Sequence, residues 1–374
     1  MKLVIPKSDL QRGLNRIQAI VEKRNSMPIL ANVLLEAQGK GKEGTLRLAA
    51  TDLEVGIQDV HGADVKKDGG LTVSAKKLYE IVRELPDEPV ELEATKNSFL
   101  AIRCARVNFT LAGTAPEEYP TLPSFAPEKT VVVPAAVLST MIERTMYAAS
   151  VDETRYNLNG VHLEVLGDSG KLRLVATDGH RLASVDRSFG DDVGSLASGV
   201  IIPRKGLAEL KRLVDEDDAD EIELAFEGNS GLARKGKVTL VMRLIEGEFP
   251  NYSQVVPKNV TRRVTLPAEN LAHALRRVAL LSSERSRAIK LEIADHKLAI
   301  SSSNPDLGDA REELDVDYDG EALSIGFNAR YLLDVLGAVR CKEMTLGFQD
   351  ELSPAKVVPT DDEDTLAVVM PMRI

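Results

Sequence analysis

The sequence repeats itself at a spacing of 126 residues, and this repeat limits the folds that the chain can adopt. The stretch "GTLRLAATDLEVGIQ" begins at Gly44, "GKLRLVATDGHRLASVD" begins at Gly170, and a weaker copy, "HKLAISSSNPDL", begins at His296. Similarity at a fixed spacing indicates one structural unit that is used several times. The 374 residues also exceed what a single hydrophobic core usually holds. We therefore predict three copies of one domain, at 1–126, 127–257 and 258–374.

Each copy divides in turn into two halves of similar pattern. Six times a short β-rich run meets a small residue or a proline and is followed by apolar residues at helical spacing. Pro6, Pro134, Pro203 and Pro267 stand at these junctions, where the missing N–H of proline costs little. The predicted fold class is α+β, with two β-α-β-β-β halves in each domain and helices on one side of antiparallel sheets. The predicted helices span 8–24, 75–85, 135–149, 204–214, 268–281 and 328–342.

These helices differ in charge from the rest of the chain. They hold 17 Lys and Arg against 8 Asp and Glu, a net charge of +9, although the whole chain carries −11 and the remainder therefore −20. One interpretation is that each charged face is simply solvated. Repetition at six equivalent helices favours a common basic surface, which would attract duplex DNA without reading its sequence. Its members would be Lys7, Arg12, Arg16, Lys23, Arg24, Lys76, Lys77, Arg83, Arg204, Lys205, Lys211, Arg212, Arg276, Arg277 and Arg330.

The sequence contains no pattern typical of a membrane span, a metal site or a bound cofactor. Its longest apolar runs are far shorter than the ~20 residues that a span needs, and its N-terminus lacks the apolar core of a signal peptide. We therefore expect a cytoplasmic protein. The five histidines are scattered, no H-E-x-x-H or C-x-x-C occurs, and "GKGKEG" at 39–44 is not a phosphate-binding loop. We expect no metal and no cofactor.

The stretch "TDGHRLA" at 177–183 combines a carboxylate, an imidazole and a guanidinium. One interpretation is a hydrolase that uses Asp178 and His180, although no G-x-S-x-G motif accompanies them. The first copy of the repeat has "TDLEVGI" at the same place. Thr177 and Asp178 are therefore predicted to belong to the shared architecture, whereas residues 179–182 are particular to the second domain. We favour a recognition role for these four residues.

Several stretches in order give the chain a resemblance to a known family. They are "PILANVLLEA" at 28–37, "ATDLE" at 50–54, "RYNLNG" at 155–160, "ATDGHRLA" at 176–183, "EFPNY" at 248–252, "IGFNARYLLDVL" at 325–336 and the terminal "VVMPMRI". Over its whole length the chain resembles the bacterial DNA polymerase III beta subunit, the sliding clamp. The resemblance implies a non-catalytic processivity factor. Two copies would join head to tail, domain 1 to domain 3, in a ring around duplex DNA, with basic helices inside and sheets outside.

The resemblance also implies partners and sites. A pocket between domains 2 and 3 would bind short motifs of the polymerase III alpha subunit, the clamp loader and other replication and repair proteins. Its residues would be Leu158, Thr177, Gly179, His180, Arg181, Leu182, Pro250, Val255, Asn328, Tyr331, Leu352, Val368, Val369, Met370, Pro371, Met372, Arg373 and Ile374.

Two further sets of residues would contact DNA and the second copy. The DNA contacts would be Arg24, Arg155, Tyr156, Lys77, Arg204, Lys205, Arg276 and Arg277. The dimer interface would set Phe109 and Leu111 against Leu280 and Leu281. Four residues depart from the family's pattern, Gln254, Ser286 and Pro354 at the pocket rim and Asn157 beside the DNA.

Overall fold

The computed structural model divides into two compact units. Unit 1 comprises Met1–Ala135 and Ala208–Leu244, and unit 2 comprises Ala136–Leu207 and Ile245–Ile374. The structure describes residues 1–21, 27–120, 130–167, 169–190, 193–194, 196, 199–216 and 219–373.

The described residues contain six α-helices, and each begins at the end of a strand, as the sequence predicts. Pro6 and Pro267 stand immediately before two of them, with φ angles of −57° and −58° that suit a first helical turn. The predicted helix 268–281 ends earlier, at Val278, because Ala279–Leu281 forms a 3₁₀ turn. The helices are α1 Lys7–Ile20, α2 Ala75–Glu84, α3 Ala135–Met146, α4 Arg204–Val214, α5 Ala268–Val278 and α6 Ala329–Val339.

The strands of the described residues all pair in the antiparallel sense. In chain order they are β1 Lys2–Ile5, β2 Asn32–Gln38, β3 Thr45–Thr51, β4 Val55–Gly62, β5 Asp64–Lys67, β6 Gly69–Ser74, β7 Val90–Ala94, β8 Phe99–Cys104, β9 Val107–Thr114, β10 Val131–Pro134, β11 Gly160–Val165, β12 Lys171–Thr177, β13 Arg181–Ser188, β14 Val200–Pro203, β15 Glu221–Glu227, β16 Ser230–Lys235, β17 Val238–Arg243, β18 Arg262–Pro267, β19 Ala288–Ala294, β20 Lys297–Asn304, β21 Gly308–Asp315, β22 Leu323–Asn328, β23 Glu343–Phe348, β24 Ala355–Pro359 and β25 Thr365–Val369.

The order of the strands repeats the internal symmetry of the sequence. Unit 1 holds one sheet in the order β10-β15-β16-β17-β4-β3-β2-β6-β9-β8-β7-β1-β5. Unit 2 holds two sheets, β14-β11-β12-β13-β25-β24-β23-β18 and β21-β20-β19-β22. In both units the strand that closes one copy of the repeat pairs with a strand of the copy before it, β17 with β4 and β25 with β13. The predicted threefold α+β repeat is therefore confirmed.

Each helix packs on its sheet through one apolar face. In unit 2, α5 buries Leu271, Leu275 and Val278, and α6 buries Leu332 and Leu336. These positions recur at intervals of three or four residues, which places them on one face of a helix. Burial of that face holds each helix against its sheet and leaves the opposite face for charged residues.

Arg16 departs from the predicted basic surface because its side chain is buried inside unit 1. Its guanidinium donates to Asp59 from Nη1 and to Glu216 from Nε, both at 2.8 Å. His61 Nε2 lies 3.1 Å from the same Asp59 carboxylate. Burial raises the pKa of Asp59, but the interactions with His61 and Arg16 outweigh it and hold that pKa below its usual value. The prediction that Arg16 lies on an exposed surface is wrong, whereas Lys23 and Arg24 lie outside the described residues.

Arg16→Ala is expected to lower the free energy of unfolding by about 3–5 kcal/mol, because a buried carboxylate would lose its cation partner. Asp59, that carboxylate, is only 1% exposed. The matched control on the same helix is Arg12→Ala. The Arg12 side chain is 51% exposed and pairs with Asp9, and such pairs contribute about 0–1 kcal/mol. Urea unfolding followed by circular dichroism measures both, and an equal loss in the two variants would contradict the prediction.

Candidate docking pocket

The turn at residues 177–181, between β12 and β13, is held by the side chains of its own first two residues. Thr177 Oγ1 donates to the carbonyl of Arg181 at 2.6 Å and accepts from the amide of Gly179 at 3.1 Å. Asp178 Oδ1 accepts from the amides of His180 at 2.9 Å and Arg181 at 3.0 Å. Short polar side chains commonly fix turns in this way.

The equivalent turn in the first copy of the repeat makes the same hydrogen bonds. Thr51 Oγ1 donates to the carbonyl of Val55 and accepts from the amide of Leu53, both at 3.0 Å. Asp52 Oδ1 accepts from the amides of Glu54 at 2.9 Å and Val55 at 2.7 Å. The first two residues of the turn therefore belong to architecture that both domains share, as the sequence predicts.

The side chains of Asp178 and His180 do not form an acid–base pair. The second carboxylate oxygen of Asp178 accepts from Arg181 Nε at 3.1 Å, so both oxygens hold the turn. The His180 ring is stacked near Tyr331, with centroids 6.3 Å apart. In the part of the chain that the structure describes, no group of three or more His, Cys, Asp and Glu could hold a metal ion. This geometry gives the hydrolase interpretation no support.

Each of the three guanidinium nitrogens of Arg181 donates a hydrogen bond within the protein. Besides Asp178, its guanidinium donates to the Tyr147 carbonyl at 2.8 Å and to the carboxylate of Asp334. Its Cζ atom lies 4.7 Å from the ring centroid of Tyr331 and 5.4 Å from that of Tyr147, in range of cation–π attraction. Burial raises the pKa of the Tyr147 hydroxyl. Arg181 therefore joins the turn to the Tyr147 carbonyl and to Asp334 on α6.

Gly179 has a left-handed backbone conformation and lies close to the end of the Arg155 side chain. Arg155 Nη1 donates to the Asp178 carbonyl at 3.0 Å, and a Cβ at Gly179 would lie 2.8 Å from the same nitrogen. Gly179 has a φ of +86°, but Leu53 has a φ of 79° at the equivalent place. A side chain is therefore possible in this conformation but strained, and at residue 179 it would also have to displace the flexible end of Arg155.

The C-terminal segment reaches the turn by strand pairing. Across β13 and β25, Arg181 lies opposite Val369 and Leu182 opposite Val368. Beyond the strand, the Met370 amide donates to the His180 carbonyl at 2.9 Å. Pairing thus extends the sheet to the start of the terminal "MPMRI" segment.

An apolar cavity of about 250 Å³ opens where these elements meet, and we call it the docking pocket. Residues from β12, β13, β25 and the segment after β17 form its walls. Nine of its predicted members line it, and Asn251 and Tyr252 line it in addition. His180, Asn328, Tyr331, Leu352 and the described residues of the C-terminal segment other than Val368 and Met370 are not part of this lining. The lining residues are Leu158, Thr177, Gly179, Arg181, Leu182, Pro250, Asn251, Tyr252, Val255, Val368 and Met370.

A polar and aromatic layer supports the wall at Tyr252. Its hydroxyl donates to the carboxylate of Glu164 and accepts from Arg173 Nη1 at 3.3 Å. Burial, followed by the hydrogen bond to Glu164, raises the pKa of Tyr252 to about 12, so the hydroxyl stays protonated. Phe249 stacks on His162 with centroids 4.8 Å apart. Tyr252 belongs to the quoted "EFPNY" stretch, but that stretch does not show that its hydroxyl meets Glu164 and Arg173.

The remaining predicted pocket residues lie beside the cavity or away from it. Among those beside it, Tyr331 stacks near His180, Asn328 caps α6, and the Met372 amide donates to the Gly326 carbonyl at 2.8 Å. Val369 is fully buried, Pro371 is half-buried, Arg373 is exposed, and Leu352 is 68% exposed without lining the cavity. Ile374 lies outside the described residues.

The residues predicted to contact DNA are spread over both units. Lys77 lies on α2 of unit 1, is 63% exposed and pairs with Glu80. In unit 2, Tyr156 is 59% exposed, and Arg155 lies beside the docking pocket. Also in unit 2, Arg204 donates to the Ala149 carbonyl at 3.0 Å, and Lys205 follows it on α4. On α5, Arg276 is exposed, and Arg277 is 59% exposed and pairs with Glu312. Arg24 lies outside the described residues.

The residues predicted for the dimer interface leave apolar surface in each unit. In unit 1, β9 has no buried residue, and Phe109 on it is 40% exposed with Leu111 half-buried beyond it. In unit 2, Leu280 is 76% exposed and Leu281 is half-buried on the turn that packs on β20 and β21. Leu307, in the turn just before β21, is 58% exposed and was not predicted from the sequence.

The threefold repeat and the apolar docking pocket define a clamp-type protein that holds partners instead of transforming them. Three family models cover the chain, the N-terminal, central and C-terminal domains of the DNA polymerase III beta subunit, at residues 1–123, 132–251 and 253–373. The chain belongs to the DNA polymerase III beta subunit family, the beta sliding clamps. The resemblance read from the sequence is confirmed, the chain is a non-catalytic processivity factor, and the hydrolase alternative is wrong.

Full-length relatives agree with this assignment. The beta sliding clamp of Caulobacter vibrioides is 38% identical over 378 residues and that of Escherichia coli K12 is 33% identical over 378 residues, each covering 100% of both chains. The crystal structure of the DNA polymerase III subunit beta from Pseudomonas aeruginosa superposes with a TM-score of 0.93 at 35% identity, again over 100% of both chains. Among the described residues, no helix is long and apolar enough to cross a membrane.

Gly179→Ala is expected to cost about 1–2 kcal/mol of unfolding free energy, because alanine is strained at a φ of +86° and its Cβ would also have to displace Arg155 Nη1. Removal of the colliding group should restore part of the loss, so Gly179→Ala combined with Arg155→Ala should cost less than the sum of the two single changes. A double-mutant cycle by urea unfolding measures this coupling. Strict additivity would show that backbone strain alone, and not Arg155, excludes a side chain at residue 179.

Proposed function

We propose that two copies of this chain close head to tail into a ring around duplex DNA and tether replication proteins to it. The proposal rests on two strands, one in the first copy of the repeat and one in the third. Among the described residues each lacks a pairing partner on one side over most or all of its length, although their equivalents elsewhere in the chain have one. An open edge presents unpaired backbone groups that can pair with another chain. A head-to-tail contact that closes after two copies leaves no free edge.

The two edges correspond to strands that are paired elsewhere in the chain. Strands β17 and β25 close the second and third copies, and they pair with β4 and β13. Their equivalent in the first copy is β9, whose residues 107–112 pair with β8 on one side only among the described residues. The equivalent of β4 and β13 in the third copy is β21, which ends its sheet. Strand β9 of one copy therefore fits against β21 of another.

The repeat also sets the expected register of this contact. In unit 1 Met242 lies opposite Val55, and in unit 2 Val369 lies opposite Arg181. The same offset places Leu111 of one copy opposite Leu307 of the second copy. Both are apolar and at least partly exposed, so their contact would remove apolar surface from water. Leu280 and Leu281 would lie beside this contact.

A disulfide tests both the ring and its register. With Leu111→Cys and Leu307→Cys in each copy, oxidation should give a covalent dimer in denaturing gels, because directly opposite residues in an antiparallel pair lie about 5 Å apart. After loading, the cross-linked ring should stay on nicked circular DNA and leave linearised DNA. The control pairs Leu111→Cys with Glu313→Cys, which lies six residues along the strand, about 20 Å away. Equal cross-linking of the control, or equal retention on both DNAs, would contradict the proposal.

The contacts with DNA are proposed to be weak and blind to sequence. Tyr156, Arg276, Lys77 and the other residues predicted for this role would face the duplex from the helices and from the loop at 152–158. Ion pairs such as Arg277 with Glu312 partly neutralise the positive charge of these residues, so each contact with a phosphate would be weak. Sliding needs such contacts, since tightly held phosphates would stall it. Arg155 would serve the docking pocket and the DNA face together.

The docking pocket is proposed to bind short linear motifs of the polymerase III alpha subunit, the clamp loader and other replication and repair proteins. Its apolar walls of Leu182, Val255, Val368 and Met370 suit an aliphatic or aromatic anchor, and Met adapts to anchors of different shape. From this role in replication we also infer a cytoplasmic location. We also propose that the chain divides into three clamp domains at 1–126, 127–257 and 258–374.

Val255→Glu is expected to weaken binding of a labelled peptide with a Leu-Phe anchor at least tenfold, because a charge at the rim must be desolvated against an apolar anchor. Val255 is 39% exposed, so the variant should still fold. The matched control is Leu352→Glu, an exposed residue that does not line the cavity and should change affinity less than twofold. Fluorescence anisotropy measures both. If Leu352→Glu weakened binding as much as Val255→Glu, the pocket would have to extend beyond its observed lining.

A further inference from the structure

Two further cavities of unit 2 share lining residues with the docking pocket or with each other. A second cavity of about 560 Å³ shares Val255 with the docking pocket and is also lined by Gln254 and Pro354. A third cavity of about 470 Å³ shares Pro257 and Lys258 with the second. The segment 255–258 thus borders all three cavities, which we call the groove. From Val255 to Lys258 the chain advances three residues, which span at most about 10 Å. A few residues of an extended peptide would therefore reach from the docking pocket to the third cavity.

The third cavity, which we call the basic cleft, is built on one row of the sheet. Arg263 on β18 lies opposite Gly347 on β23, and Gly347 lies opposite Lys356 on β24. Side chains of residues that lie directly opposite each other point to the same face of a sheet. Arg263 and Lys356 therefore lie on either side of Gly347, which has no side chain. A Cβ at Gly347 would lie 2.7 Å from Val260 Cγ1, so no larger residue fits without a shift. The result is a trough about 10 Å wide between two positive charges.

The charges of the basic cleft are unusual for this protein. Lys258, Arg263 and Lys356 line it with a single carboxylate, Glu363, although the chain carries −11 overall. Among the described residues these three cations make no ion pair or side-chain hydrogen bond. The neighbouring Arg262, by contrast, is bonded to Glu321 and to a backbone carbonyl. Cations left unpaired along a groove favour an acidic occupant.

We propose that the groove holds acidic residues that flank the motif docked in the pocket, with their carboxylates in the basic cleft. This inference rests on the proposed function of the docking pocket, and it adds a chemical requirement for the partner. The trough admits one extended chain and is too narrow for a duplex, which is about 20 Å across. A partner with Asp or Glu a few residues from its anchor would bind more tightly and associate faster than one with a neutral flank.

The experiment compares three synthetic fluorescein-labelled peptides with the same Leu-Phe anchor. One carries four glutamates before the anchor, one carries them after it, and one carries four glutamines on both sides. One of the two acidic peptides should bind the full-length protein about tenfold more tightly than the neutral one at low salt, since three exposed pairs each contribute modestly. The gain should vanish at about 0.5 M salt.

Variants assign the gain to the cleft. Arg263→Gln with Lys356→Gln should remove the gain and leave the affinity for the neutral peptide unchanged, whereas Lys342→Gln, an exposed lysine outside the groove, should change neither. If the neutral peptide failed to bind the pocket at all, the proposed docking function would be wrong. If it bound but neither acidic peptide gained, or if the double variant kept the gain, the acidic-flank proposal would be overturned.

Discussion

The antiparallel pairing of β25 with β13 is the contact on which the docking pocket depends. Five residue pairs, from Arg181 with Val369 to Val185 with Thr365, join the closing strand of the third copy to the second. Every backbone group of a buried strand needs a partner, so this pairing fixes the register as well as the position of β25. Leu182 and Val368 then face each other at the base of the cavity, and Met370 follows at its rim.

Polar side chains around the pocket hold its shape and leave the interior apolar. Asp178 and Thr177 fix the turn, and Arg181 ties that turn to Asp334 on α6. Hydrogen bonds to charged groups contribute about 1.5–3 kcal/mol each, so this set makes the wall stiff. A stiff apolar cavity binds an anchor without first paying for its own ordering. The residues that looked reactive in the sequence therefore hold the turn and the cavity wall in place.

Much of this organisation could be predicted from the chain alone. The repeat predicted three domains of one architecture, the helical periodicity predicted six helices within a few residues of their ends, and the comparison of "TDGHRLA" with "TDLEVGI" separated the shared turn from its specialised half. The local pattern did not predict the burial of Arg16. A charged residue on a helix has the same sequence signal whether its side chain faces water or, as here, a carboxylate on a strand that the helix packs against. Asn251, Tyr252 and Leu307 were missed for a similar reason, because their surroundings come from distant strands.

The sequence by itself determined the repeat, the fold class and the family, because these follow from periodicity and from residues that are close along the chain. Only the tertiary structure decided which side chains are available. It committed the donors of Arg181 to Tyr147 and Asp334, set Leu352 apart from the cavity lining, and aligned Arg263, Gly347 and Lys356 in one row. Each of these outcomes depends on strand register and helix packing between residues far apart in the chain, and a one-residue shift would reverse the faces of a strand.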